Sequence, residues 1–144
     1  MRDSLLLVTA ILLLGLGPIA HADQFRRLGE WNVHYVVIRT SFLKPEIAAR
    51  YSIVRGPDRA LLNISVIGTD GQPVAAEVSG RMRNLLEQES PLEFQEVREG
   101  EAVYYLAPVR HTDRETLRFR IEIRPPDGSI QHLEFQQQLY VDGQ

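Results

Sequence analysis

The 144-residue chain has no cysteine. That excludes a disulfide framework, thiolate-bound zinc, a thiol nucleophile and thioredoxin-type redox chemistry. Lysine is almost missing too: Lys44 stands alone beside 15 arginines, which reads as coding bias rather than chemistry. Methionine occurs only as Met1 and Met82, which argues against a copper carrier rich in thioether ligands. The net charge of -3 argues against nucleic acid as a partner. No repeat or low-complexity tract occurs. With 44% apolar and 24% charged residues, the composition is that of an ordinary globular protein, and the length suits one domain.

Long apolar runs are absent except at the start. Arg2 precedes an almost unbroken apolar stretch over residues 5–16, which Pro18 ends. Ala20-His21-Ala22 then places small residues at both positions that a signal peptidase reads. A spanning helix needs about 20 apolar residues, more than this run supplies. Residues 1–22 therefore read as a cleaved signal peptide, and residues 23–144 as a single exported domain with no membrane insertion after cleavage. Export without cysteine points to a bacterial envelope.

What remains has the period of strands. In residues 116–124, Leu117, Phe119, Ile121 and Ile123 share one face, while Arg118, Arg120, Glu122 and Arg124 share the other. One face is packed and one is wetted, as in an antiparallel sheet. Pro125-Pro126-Asp127-Gly128 forces a turn, and a strand over residues 130–141 follows, with Leu133, Phe135 and Leu139 inward. Upstream, residues 30–42 read as a long strand whose second half is apolar on both sides, as in a strand covered twice. Residues 61–68, 74–86, 92–98 and 102–109 complete the set, with Glu99-Gly100-Glu101 as a tight hairpin turn. Leu62, Val66, Leu117, Phe119, Ile121 and Phe135 are the expected core. Only Lys44-Pro45-Glu46-Ile47-Ala48-Ala49-Arg50-Tyr51 departs from this period. Proline at the first helical position and an acidic first turn predict one or two helical turns there. The fold expected is all-β: an immunoglobulin-like antiparallel β-sandwich of about seven strands, with one short helical turn after the first strand.

Candidate chemistry is sparse. His34, His111 and His132 remain after cleavage, and none pairs at a metal-binding spacing. His111, beside Asp113, reads as a surface histidine. No G-x-S-x-G elbow occurs, and the carboxylates are scattered over outward strand positions, so no catalytic residue, metal or cofactor is assigned. Asn63-Ile64-Ser65 matches a glycosylation acceptor, but it lies inside a strand and reads as chance. Arg118, Arg120 and Arg124 form a basic stripe able to dock an anion, or serve as ordinary surface. The candidate binding surface is His34, Tyr35, Tyr51, Arg55, Tyr104 and Tyr105. Adjacent strand residues point to opposite faces, so one member each of the His34/Tyr35 and Tyr104/Tyr105 pairs belongs to the core. Arg55 either closes over the outer face or ties its loop to carbonyls.

Several segments occur in a recognisable order. They are His34-Tyr35, Phe42-Leu43-x-Pro45-x-Ile47-Ala48, Tyr51-x-Ile53-x-Arg55, Leu62-Asn63-Ile64-Ser65-Val66, Val103-Tyr104-Tyr105 and the late Leu133-x-Phe135. Together they resemble the uncharacterised family called domain of unknown function 4426 (DUF4426), over residues 23–142. The resemblance implies an exported protein of the Gram-negative periplasm. It carries no activity, ligand or catalytic residue. The function expected is a non-catalytic binding or adaptor module for an envelope protein. The alternative is a small-ligand domain with a pocket between the sheets.

Overall fold

The computed structural model describes residues 24–141. The expected signal peptide lies outside them. Among the described residues nine strands form two antiparallel sheets. They are β1 (Gln24–Leu28), β2 (Trp31–Arg39), β3 (Arg59–Ile67), β4 (Glu77–Asn84), β5 (Glu89–Leu92), β6 (Gln95–Glu99), β7 (Ala102–Arg110), β8 (Glu115–Arg124) and β9 (Gln131–Leu139). Sheet A runs β1-β2-β3-β7-β6 and sheet B runs β5-β4-β8-β9. A 3-10 turn at Thr40–Phe42 and a short helix, α1 (Pro45–Arg50), link β2 to β3.

The sandwich is as expected, with two refinements. The short β1 precedes the long first strand of the sequence reading, so the helix follows the second strand. Its five residues have no apolar alternation; pairing with β2 across a turn at Gly29 (φ +60°) makes it a strand. The expected strand over residues 92–98 is two strands in different sheets. Glu93 and Phe94 carry the chain from sheet B to sheet A, and the half-buried Phe94 packs on the core as it crosses.

Period-two alternation places one apolar layer between the sheets. Val33, Leu62, Ile64, Val66, Phe119, Ile121, Ile123 and Leu133 are essentially inaccessible there. Five of the six expected core residues are fully buried; Phe135 is half-buried and packs against that layer. Within sheet B, β4 lies tightly against its neighbour β8 at Gly80. A β-carbon on Gly80 would lie 2.7 Å from the Arg120 carbonyl oxygen, so only glycine fits.

A second apolar layer covers the outer face of sheet A. Ile38, Leu43, Leu61, Val97, Tyr104 and Leu106 are buried in it, with Ile47 and Tyr51 from the helical segment packed on top. That is why β3 is buried along nearly its whole length, and why the end of β2 is apolar on both sides. Pro45 occupies the helix start and Glu46 its first turn, as the sequence indicated.

Candidate functional site

Strand geometry divides the candidate residues between two layers. Tyr35 and Tyr105 point inward. The Tyr35 ring meets Phe135 at 4.5 Å, and Phe135 stacks on Phe119 at 4.8 Å, an aromatic row that joins the two sheets. The Arg26 guanidinium lies 5.9 Å over the Tyr35 ring. The Tyr105 hydroxyl accepts from Ala76 N at 2.7 Å and donates to Glu96 Oε1 at 3.0 Å. Burial is the main cause that raises its pKa, so the phenol stays protonated and both bonds persist.

His34 and Tyr104 point outward. The register sets Phe25 opposite His34, His34 opposite Ser65, and Tyr104 opposite Val97. Ile64 faces Tyr105, so Ser65 follows beside Tyr104. Phe25, His34, Ser65, Tyr104 and Val97 thus form one rung across all five strands of sheet A. At its open end Phe25 is 57% exposed and stacks on the His34 ring, with centroids 5.3 Å apart. At its closed end Tyr104 is buried, and among the described residues its hydroxyl has no hydrogen-bond partner. Burial, reinforced by the Glu99 carboxylate, pushes the Tyr104 phenol up to about 12.

Tyr51 ends α1 and packs in the same outer layer. Arg55 does not reach the rung. Its Nε donates to Thr40 O at 3.3 Å and its Nη2 to Ser41 O at 3.1 Å. Thr40 itself is buried, and its hydroxyl accepts from Gly56 N and lies 3.0 Å from Arg59 O. Arg55 and Thr40 together pin the loop after α1 to the start of β3. The candidate set therefore splits three ways: His34, Tyr104 and Tyr51 outside, Tyr35 and Tyr105 inside, Arg55 on the loop.

Two polar residues of the outer face lay hidden in the sequence reading. Asn63 and Ser65 are buried on β3, and Asn63 Oδ1 has no partner among the described residues. Their signal was the Asn-x-Ser alternation opposite Leu62, Ile64 and Val66. His111 corrects an expectation: it is buried, not on the surface. Its Nδ1 lies 2.9 Å from Thr112 O, and its backbone N–H donates to Asp58 O at 3.1 Å. That backbone bond holds the end of β7 against the loop before β3.

A model of the family described as "Domain of unknown function (DUF4426)" matches residues 25–142. The chain belongs to the DUF4426 family. A crystal structure of a DUF4426 protein from Pseudomonas aeruginosa PAO1 is 34% identical, with a TM-score of 0.76, over 83% of this chain and 96% of that one. A copper-bound variant of FetP from uropathogenic Escherichia coli strain F11 shares the fold at 12% identity, with a TM-score of 0.60, over 85% of this chain and 93% of that one. FetP of the same strain, expressed recombinantly in the E. coli periplasm, matches at 10% identity and a TM-score of 0.59, over 83% of this chain and 95% of that one. Comparison with curated proteins found no match.

The fold shared with copper-bound FetP raises a specific question about donors in this DUF4426 chain. His34 lies on the outer face of sheet A. His132, next to the inward Leu133, lies on the outer face of sheet B. His111 is buried at the end of β7, and Met82 packs against the layer between the sheets. These four side chains occupy four separate places. Among the described residues no group of three or more His, Cys, Asp or Glu could hold a metal ion. Among the described residues these side chains do not converge on one copper site.

Proposed function

We propose that this DUF4426 protein is a non-catalytic binding module of the Gram-negative periplasm, and that an envelope protein docks at β1. The observation that carries the reading is the pairing of an open strand edge with an exposed aromatic stack. Among the described residues β1 has β2 as its only strand neighbour in sheet A, and four of its five residues are exposed. Phe25 stands on this edge, stacked on His34. An added strand supplies main-chain hydrogen bonds, and the Phe25–His34 pair supplies a stiff apolar contact. Both features that such a docking mode needs occur at one place.

In this reading, export and cleavage after Ala22 start the mature chain at Asp23, one residue before β1. Among the described residues no helix is long and apolar enough to cross a membrane. A non-catalytic role accords with where perturbed groups lie. Tyr104 and Tyr105 are packed in sheet A, and Asp127, held low by Ser129, stands in an exposed turn. A pocket between the sheets has less support, because large apolar side chains fill that layer.

The test is a photo-crosslinking amino acid at position 25, introduced into the protein in its native periplasm. A discrete protein adduct is expected from position 25. None is expected from position 86 on the β4–β5 turn, where Leu86 is 80% exposed. No adduct at 25, or equal adducts at both positions, would remove β1 as the docking edge.

A further inference from the structure

The outer face of sheet B carries a second feature, independent of β1. Cross-strand pairing sets Arg81 opposite Arg120 and Arg83 opposite Arg118, on neighbouring rungs of β4 and β8. Four guanidinium-bearing residues thus stand at the corners of a rectangle about 5 Å across the strands and about 7 Å along them. Like charges directly opposite each other destabilise a sheet. Here two such pairs adjoin.

Carboxylates offset this repulsion at three of the four arginines and leave the fourth, Arg118, without one among the described residues. Arg81 meets Glu89 at 3.6 Å, Arg83 meets Glu87 at 3.0 Å, and Arg120 meets Glu134 at 2.9 Å. Each contact uses one nitrogen of a fork that has five N–H donors. Among the described residues the guanidinium of Arg118 has neither an ion pair nor a hydrogen bond. A concavity of about 260 Å³ opens over the rectangle, its polar lining made of the four arginines with Glu89, Glu134 and Gln136.

We infer that this concavity is a binding site for a compact anion with two or more negative charges, of the phosphate or polycarboxylate class. Four guanidinium-bearing side chains lining one opening, with Arg118 uncommitted, offer N–H donors that match the paired oxygens of such groups. The surrounding acids set the size limit. Glu89 and Glu134 stand at the two sides, and Glu122 occupies the next outward position beyond Arg120 on β8. An extended acidic chain laid across the sheet would run into these carboxylates, whereas a compact anion stays inside them. Arg124, the third member of the stripe visible in the sequence, lies outside the rectangle and pairs with Glu77 at 3.7 Å.

The experiment is titration of the mature protein with pyrophosphate at low ionic strength, by calorimetry and by thermal melting. Saturable binding and a concentration-dependent rise in Tm are expected. Acetate at matched ionic strength is expected to do neither. The variant Arg83→Gln/Arg118→Gln should bind pyrophosphate about tenfold more weakly or worse. Its Tm without ligand should be no lower than that of the native protein, since it relieves a like-charge pair. Arg124→Gln should bind normally. An equal effect of acetate would reduce the phenomenon to screening and overturn the assignment. So would undiminished binding by the double variant. Binding to phosphatidylglycerol vesicles without binding to pyrophosphate would also overturn it, in favour of a membrane surface.

Discussion

Tyr104 and Tyr105 show how one step along a strand separates two chemistries. Tyr105 faces sheet B with its hydroxyl bonded on both sides. Tyr104 faces the outer layer with a buried hydroxyl that has no partner among the described residues. A buried unsatisfied hydroxyl costs about 1–3 kcal/mol, so Tyr104→Phe should stabilise the fold by about 1 kcal/mol in denaturant melts. The pH dependence has a definite sign. The folded phenol titrates near 12, above its ordinary value of 10.0. Between these values the unfolded chain has released the proton and the folded one has kept it. Stability therefore falls as pH rises through that window. The fall should be shallower in Tyr104→Phe, read from melts on both sides of pH 10. Lower stability of the variant at neutral pH would mean that the hydroxyl has a structural partner. The alternation of β7 made the split between the two tyrosines legible, because Val103, Tyr105, Ala107 and Val109 share one face. Which of the two hydroxyls found partners was not legible, since Ala76 and Glu96 come from other segments.

At the scale of the element, β8 is the strand whose phase is plainest. Leu117, Phe119, Ile121 and Ile123 are buried, and the residues between them are exposed. Phe119→Ala should cost about 3–5 kcal/mol, because it empties a site packed between Met82 and Phe135. Arg118→Ala should stay within about 0.5 kcal/mol. Chemical denaturation of both variants checks this, and equally mild effects would mean a strand phase displaced by one residue. The segment after β2 is a different kind of element. Its helix is only six residues long, too short to stand by itself, and packing of Ile47 and Tyr51 on sheet A stabilises it. Arg55 and Thr40 then close the loop by hydrogen bonds to backbone groups, contacts that no periodicity announces.

At the scale of the whole molecule, the two long sides of the sandwich close differently. On one side the chain itself crosses between sheets, through Glu93 and Phe94. On the other, Arg26 of β1 reaches from sheet A to donate to Glu134 O of β9, at 2.6 Å. That bond blunts the β9 edge and leaves the β1 edge open, which is the asymmetry the proposed docking mode uses. The mature protein should begin at Asp23. Intact-mass measurement on periplasmic protein checks this; a full-length mass in the membrane fraction would mean that residues 1–22 remain as an anchor.

The sequence alone determined the fold class, most of the core and the place of the helix. Period-two alternation, turn residues and Pro45 are local signals, and each acts within a few residues of where it is written. The doubly covered end of β2 was legible for the same reason. Tertiary structure decided the rest, because the rest depends on partners distant in the chain. β1 exists through β2, and the break at residues 93–94 exists through the separation of the sheets. Half of the arginine rectangle was visible on β8. The other half required β4 to pair beside it in one particular register, placing Arg81 opposite Arg120 and Arg83 opposite Arg118, residues far apart in sequence. Pairing of this kind is set by which apolar faces must be buried together, and no local pattern in the chain states it.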